Sequence, residues 1–247
     1  MSSFLSLACV NIEGTKHLDR VLVFLQKEKP DVVCLQEVYE RDLQGLAEKL
    51  DMQSAFAPMV LWGYPIPSEP PFIPYGIALL SRLPMEEMRR LYYRGDGNPA
   101  NIAAYGNPLS YYYFILSAIF RKDGQRFTIG TTHFPVTPDG KTDDVQRSSI
   151  QELLKQLESF PEIVLCGDFN APRGGEIFAE LAKRYKDNIP PHYTTSIDVN
   201  LHRAGEKLRG RQLMIDGLFT TPGYQCSNVR LQDGVSDHLA ILAEIRL

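Results

Sequence analysis

The sequence predicts an α/β protein, with a mixed or parallel sheet covered by helices. Three observations carry this. Short apolar runs rich in Val, Ile and Leu recur along the chain. Segments with apolar residues at helical spacing separate the first of these runs. Several of the runs end in carboxylate or carboxamide residues.

Taken in order, residues 4–12 (FLSLACVNI) read as a buried strand. Residues 17–29 set Leu18, Val21, Leu22 and Leu25 at helical spacing, and Pro30 closes that helix. Residues 31–38 (DVVCLQEV) are a second buried strand and residues 40–50 (ERDLQGLAEKL) a second helix, so the opening is β-α-β-α. Residues 62–75 carry five prolines and are expected to be neither regular helix nor central strand. YGIALLSRLP then resumes as a strand. Residues 92–113 hold six of the twelve tyrosines and read as a second irregular insertion, a kind of loop that is usually functional or mobile. YYFILSAIF and RFTIGTTHF form a strand pair that turns at Lys122–Gly124. Residues 142–158 are the best helix in the chain, with Thr142 as its cap and Asp143 and Asp144 in its first turn. EIVLCGDFN is a further buried strand, and MIDGLFTT, QCSNVRLQD and HLAILAEIRL supply two or three more. No internal repeat or low-complexity linker interrupts the chain, so residues 1–247 are expected to form a single domain.

Composition narrows the function. Apolar residues make up 44% and charged residues 23% of the 247, which excludes intrinsic disorder, collagen-like repetition and a small disulfide scaffold. The 26 basic and 30 acidic side chains leave a net charge of −4. A protein gripping long duplex nucleic acid usually carries the opposite balance, so contact with nucleic acid would need a local basic patch. Cys9, Cys34, Cys166 and Cys226 form no CxxC pair, and buried free thiols in a reducing compartment account for them. No apolar stretch reaches the roughly 18 residues of a membrane span. MSSFLSLACVNIEG lacks the positive region of a leader peptide and reads better as a first strand, so a cytoplasmic location and no membrane anchor are expected.

The chemistry lies at strand ends. Asn11, Glu37, Asp168 with Asn170, Asp216, and Asp237 with His238 all fall there, and the rim made by strand ends is where α/β proteins build sites. Acids and amides gathered on one rim suit a hard divalent cation, Mg²⁺ with Mn²⁺ as a substitute. Each residue alone has a plainer reading. Asn11 is then a strand-end hydrogen bonder, Glu37 a surface acid beside a helix start, GDFN a turn, SDH a capping box, and a lone His a structural residue.

Their order is more specific than any one of them. An N-x-x-G strand end is followed by LQEV, a T-x-H strand end, GDFN, IDGLF and SDHLA. The series resembles the endonuclease/exonuclease/phosphatase superfamily from Asn11 to His238, nearly the whole chain. The resemblance implies a four-layer α/β sandwich, two mixed β-sheets packed face to face with helices outside and a substrate cleft at one edge. It implies that Glu37 is the principal Mg²⁺ ligand, that Asn11 bonds the metal or its water, and that Asp237 completes the shell. Asp168 matches the residue that orients or deprotonates the attacking water, and Asn170 one that contacts phosphate. His238 would stabilise developing negative charge with Asp216 orienting it. His133 lies where relatives place a Tyr or His against the scissile phosphate. Phosphodiester hydrolysis needs these parts in any case: an in-line water, neutralised phosphoryl oxygens and help for the leaving oxygen.

The loops decide the substrate. Trp62 and the proline-rich stretch suit stacking on a base or headgroup, or packing of the loop on the sheets; Tyr92, Tyr93, Tyr105 and Tyr111 pose the same choice. Residues 202–211 (HRAGEKLRGR) concentrate Arg203, Lys207, Arg209 and Arg211 against Glu206 alone, either a phosphate-binding loop with Arg209 and Arg211 on substrate or a solvated one. Arg147, in the helix after His133, is expected to be a structural ion-pair partner, the other reading being a group that neutralises the acidic cleft or contacts substrate. HYTTSIDVNLHRAGEKLRGRQLMIDGLF looks loosely like the tyrosyl-DNA phosphodiesterase 2 branch, and the exonuclease III-like branch is also near. The leading expectation is a Mg²⁺-dependent phosphodiesterase acting on nucleic-acid ends or short single strands, in DNA end-processing or repair. A phosphatase or phosphodiesterase on a small phosphorylated metabolite or lipid headgroup is the alternative, and a noncatalytic binding domain of the same fold the third. No protein partner is readable.

Overall fold

The structure is a computed structural model, described over residues 4–62, 73–98 and 111–247. Two six-stranded sheets hold the described chain. The first contains β1 (Leu5–Asn11), β2 (Val32–Tyr39), β3 (Gln53–Trp62), β4 (Ile73–Ser81), β11 (Gln225–Gln232) and β12 (Ala240–Arg246), in the order β11-β12-β1-β2-β4-β3. The second contains β5 (Met85–Arg94), β6 (Tyr113–Lys122), β7 (Gln125–His133), β8 (Val164–Asp168), β9 (Lys186–Asp187) and β10 (Asp216–Thr220), in the order β5-β6-β7-β8-β10-β9. The helices are α1 (Leu18–Glu28), α2 (Glu40–Leu50), α3 (Asp144–Leu157), α4 (Glu176–Ala182) and α5 (Gly205–Leu208).

Period-two burial explains the layering. Leu5, Leu7 and Cys9 of β1 and Val32 and Cys34 of β2 face the second sheet and join one core with Ile129, Val164 and Cys166. The alternate residues Ala8, Val10, Val33 and Leu35 face outward, against Val21, Phe24 and Leu25 of α1 and Leu43, Leu46 and Leu50 of α2. On the far side Ile150, Leu153, Leu154 and Leu157 make one buried stripe of α3. The result is the four-layer α/β sandwich, helices outside and two mixed sheets face to face. Phe120 and Phe127 are completely buried, and truncating either to Ala costs about 3–5 kcal/mol.

One topological feature positions the polar strand ends. Each sheet has a single parallel pair at its centre, β1 with β2 and β7 with β8, and each pair is joined through a helix. Parallel strands end on the same rim. Asn11 and Glu37 therefore finish the first pair beside His133 and Asp168, which finish the second.

Several expectations need correction. Residues 53–62 and 85–94 are strands that apolar patterning missed, because β3 and β5 edge their sheets and much of their surface is half-buried or exposed. Both expected loops are shorter than their patterns suggested: Ile73–Tyr75 belong to β4, and Tyr92–Arg94 to β5. Pro74 is tolerated near the start of its strand. The cap of α3 is Asp143, whose carboxylate accepts the Gln146 N–H at 2.8 Å, not Thr142. The hairpin between β6 and β7 turns on Asp123 and Gly124, both at positive φ, as a two-residue turn requires.

Candidate active site

Glu37 owes its position to a fault in the sheet. The pairing of β2 with β4 slips between Leu35 and Val38, and Glu37 has φ 60°, a strained value for a non-glycine residue. The bulge breaks the alternation that would send Glu37 to the helical face. Its carboxylate instead meets Asn11 Nδ2 at 3.0 Å through Oε1 and accepts the Tyr75 hydroxyl at 2.5 Å through Oε2. Asn11 is buried, and the same amide nitrogen donates to Asp168 Oδ2 at 3.1 Å, while its Oδ1 accepts the Glu13 N–H at 3.2 Å. Asn11 thus bridges the carboxylates of the two sheets.

Asp168 is only 2% exposed. Gly167 before it has φ 152°, and a Cβ there would sit 2.0 Å from the Thr132 carbonyl, so only glycine allows the approach of β7 that brings His133 alongside. Asp168 Oδ1 accepts the Asn170 N–H at 2.8 Å. Its Oδ2 lies 3.6 Å from His133 Nε2 and 3.9 Å from His238 Nε2. Burial and the Asp216 charge push its pKa up, against the pull of the two imidazoles. Asn170, at φ 48°, donates one amide N–H to the Phe134 carbonyl at 2.9 Å. Gln146 of α3 holds the Pro135 and Asn170 carbonyls at 2.7 and 3.1 Å, tying the loops after β7 and β8 together.

His238 Nδ1 is 2.7 Å from Asp216 Oδ2. Burial disfavours its imidazolium, yet the carboxylates of Asp216 and Asp168 outweigh burial and hold its pKa well above the ordinary value. The Ser196 hydroxyl oxygen accepts the Ile215 and Asp216 N–H groups, both at 3.1 Å, and the Ser196 carbonyl accepts Leu239 N–H at 2.7 Å, so one residue fixes both members of the pair. Asp237 is pushed up to about 6 by burial and by the charges of Glu13 and Glu37. Glu13, His17 and Asp237 offer ligand atoms within 4.8 Å of one another, as do Asp168, Asp216 and His238.

These groups open into a cavity of about 750 Å³. Glu37, His133, Asp168, Asn170, Asp237 and His238 line its floor. Tyr39, Trp62, Tyr75 and Tyr111 form an aromatic wall, with Tyr75 4.9 Å from both the Trp62 and Tyr39 rings. The lining also includes His202, Arg203 and Arg211. Arg209 does not line the cavity; it pairs with Glu206 at 2.9 Å in an exposed turn. Arg147 grips Glu176 and Asp144, each at 2.9 Å, and ties α3 to α4. Tyr93 is buried with its hydroxyl 2.8 Å from Thr132 Oγ1, and Tyr92 packs on Tyr112 and Phe114. Tyr105 lies outside the described residues. Sequence reasoning missed Tyr75, Ser196, His202, Glu13 and His17. Each looks ordinary in sequence, because only folding brings it to the rim.

The profile of the Endonuclease/Exonuclease/phosphatase family matches residues 8–238, a span that contains every one of these rim residues. The chain belongs to that family. Its members are phosphoester hydrolases, typically dependent on a divalent metal. Among solved structures it is similar to a family member from Bacteroides vulgatus, with 19% identity, TM-score 0.73 and 99% of each chain covered. It is similar to the human Nocturnin catalytic domain with bound sulfate, with 18% identity, TM-score 0.71, and 98% of this chain and 93% of that one covered. A humanized D. rerio TDP2 matches at 16% identity and TM-score 0.67 over all of both chains. At these identities the likeness is one of fold. No curated protein matches the sequence significantly. Among the described residues no helix is long and apolar enough to cross a membrane.

Proposed function

We propose that the chain is a Mg²⁺-dependent phosphodiesterase whose substrate is a nucleic-acid end or a short single strand. One observation carries this reading: Asn11 joins the carboxylates of Glu37 and Asp168 across the two sheets, beside the His238–Asp216 pair. Glu37 and Asp237 are oxygen donors suited to Mg²⁺ or Mn²⁺. Burial first, and then the charges of Glu13 and Glu37, raise the Asp237 pKa, and a bound cation would favour its ionised form. The metal would supply charge neutralisation on a phosphoryl oxygen. Asp168, buried and flanked by imidazoles, is the group to take a proton from the attacking water. His238 as imidazolium, His133 and the second amide N–H of Asn170 neutralise the phosphoryl oxygens. Asp216 keeps His238 charged and oriented. The aromatic wall with Trp62 suits a stacked base, and Arg211 and Arg203 suit the phosphates beside it; Arg209 pairs with Glu206 outside the cavity lining. The three buried free thiols suit a reducing, cytoplasmic setting, and the single core running through both sheets suits one domain.

A small phosphorylated metabolite is the second reading, favoured by the confined cavity and the net charge of −4. The test is cleavage of end-labelled single-stranded, duplex, abasic and 5′-tyrosyl oligonucleotides, with and without Mg²⁺. Mg²⁺-dependent cutting that Asp168→Asn abolishes is the expected result. Inert oligonucleotides with hydrolysis of bis-p-nitrophenyl phosphate intact would move the substrate to small phosphoesters. Inactivity on both would leave a binding domain.

A further inference from the structure

His202 belongs to none of the strand-end motifs, yet it shares the cavity with Asp237 and His238. Its ring is held in one tautomer. The Ala204 backbone N–H donates to Nδ1 at 3.0 Å, so Nδ1 is an acceptor and the neutral ring carries its proton on Nε2. Among the described residues no protein group meets Nε2 within hydrogen-bond distance.

The loop that carries His202 is pinned to the catalytic floor. The His202 N–H donates to the Asp198 carbonyl at 2.8 Å, and the Asp198 N–H donates to the Asp237 carbonyl at 2.8 Å. Asp198 is buried and its carboxylate accepts the Gly234 and Asn200 N–H groups at 2.8 and 2.9 Å. Gly205 closes the loop: a Cβ there would lie 1.8 Å from the Val199 carbonyl oxygen. A ring held this firmly, with one nitrogen occupied and the other unmet at a cavity wall, is a built donor rather than a drifting surface side chain.

We infer that His202 donates its Nε2–H to a non-bridging phosphoryl oxygen of the substrate, as a neutral donor completing the wall formed with Arg203 and Arg211. This rests on the phosphodiesterase reading and adds to it a contact outside the strand-end motifs. Burial and the neighbouring His238 charge lower the His202 pKa, so the donor stays neutral where His238 is charged.

Two substitutions separate the two nitrogens. His202→Asn keeps an acceptor near Nδ1 for the Ala204 N–H and removes the cavity donor. His202→Gln carries an amide N–H toward the Nε2 position. The expected result is a fall of about 10- to 100-fold in kcat/KM for a Mg²⁺-supported oligonucleotide with His202→Asn at unchanged Tm, and less than about 10-fold with His202→Gln. Full activity in His202→Asn with loss of activity and Tm in His202→Gln would overturn the inference, as would two variants that behave like the parent. If both variants lose activity, the imidazole ¹H–¹⁵N spectrum of the parent protein decides. Inorganic phosphate with Mg²⁺ must shift the His202 Nε2 resonance, and an unmoved resonance overturns the contact. The same titration decides if the parent protein cleaves neither oligonucleotides nor bis-p-nitrophenyl phosphate, an outcome that removes the reaction but not the subsite.

Discussion

The two halves of the sandwich use one device to opposite ends. Each sends a parallel strand pair to the rim, and each pair finishes in a carboxylate. Glu37 of the first half stands on a bulge with its side chain 26% exposed, held by a hydroxyl and an amide. Asp168 of the second half is 2% exposed, held by Asn170 and Asn11 and flanked by two imidazoles. The open carboxylate suits a hydrated cation and the closed one suits proton transfer. The sharpest way to break the comparison is to neutralise each in turn. Asp168→Asn is expected to lower kcat about 10³-fold with no recovery at raised Mg²⁺. Glu37→Gln is expected to lose activity at limiting Mg²⁺ and recover part of it as Mg²⁺ or Mn²⁺ is raised. A metal titration of both variants reads the difference, and identical responses would end the assignment of separate roles.

A second contrast runs between the sheets: His238, just before β12 of the first sheet, has a carboxylate 2.7 Å away, and His133, at the end of β7 in the second, has none among the described residues nearer than 3.6 Å. Asp216→Asn is expected to cost about 10²-fold in kcat. The sign of its pH effect follows from the raised pKa of His238. The imidazolium now persists above its ordinary range, so losing Asp216 must move the alkaline limb of the kcat profile to lower pH. A limb that stays in place would mean that His238 does not act as a cation.

Much of this was legible in sequence for a physical reason. Strand-end polar residues stand out against apolar runs, so Asn11, Glu37, Asp168, Asp216 and His238 announce themselves, and the central strands do the same. The edge strands β3 and β5 carry no such contrast and were hidden, although the edge strand β11 was read. Supporting residues were hidden too. Tyr75 follows five prolines and looked like loop, while His202 opens a basic run whose charge drew attention to its arginines. Ser196 works through a hydroxyl that many serines expose idly. Tyr75 and Ser196 have partners far away in sequence, and His202 meets Asp237 and His238 only as a neighbour across the cavity lining, so no local pattern records any of them.

Tyr75 tests whether the first half depends on such support. Its hydroxyl is buried beside Glu37, and burial together with that charge raises its pKa well above the ordinary value, so it stays a donor at any working pH. Tyr75→Phe keeps the ring stack with Trp62 and removes only the hydrogen bond. The expected effect is about 10-fold, read as a higher Mg²⁺ concentration for half-maximal rate with kcat at saturating metal nearly restored. A drop in kcat that metal cannot restore would place Tyr75 against substrate instead.

The smallest effects are expected at the basic loop, where the comparison is between two arginines two residues apart. Both are exposed, but Arg211 lines the cavity and Arg209 faces Glu206. An exposed ion pair of this kind contributes little, and its guanidinium is already spoken for. Arg209→Ala is therefore expected to change kcat/KM by less than about 2-fold. Arg211→Ala is expected to raise KM for an oligonucleotide several-fold and to flatten its salt dependence by about 0.7 in the log–log slope, the signature of one lost contact to a single strand. A charge acting through the general field would give both variants the same modest KM change. Unequal KM values with unequal slopes require direct contact by Arg211, and they favour a polyanionic strand over a small phosphoester, for which removing one rim charge would leave the slope almost unmoved.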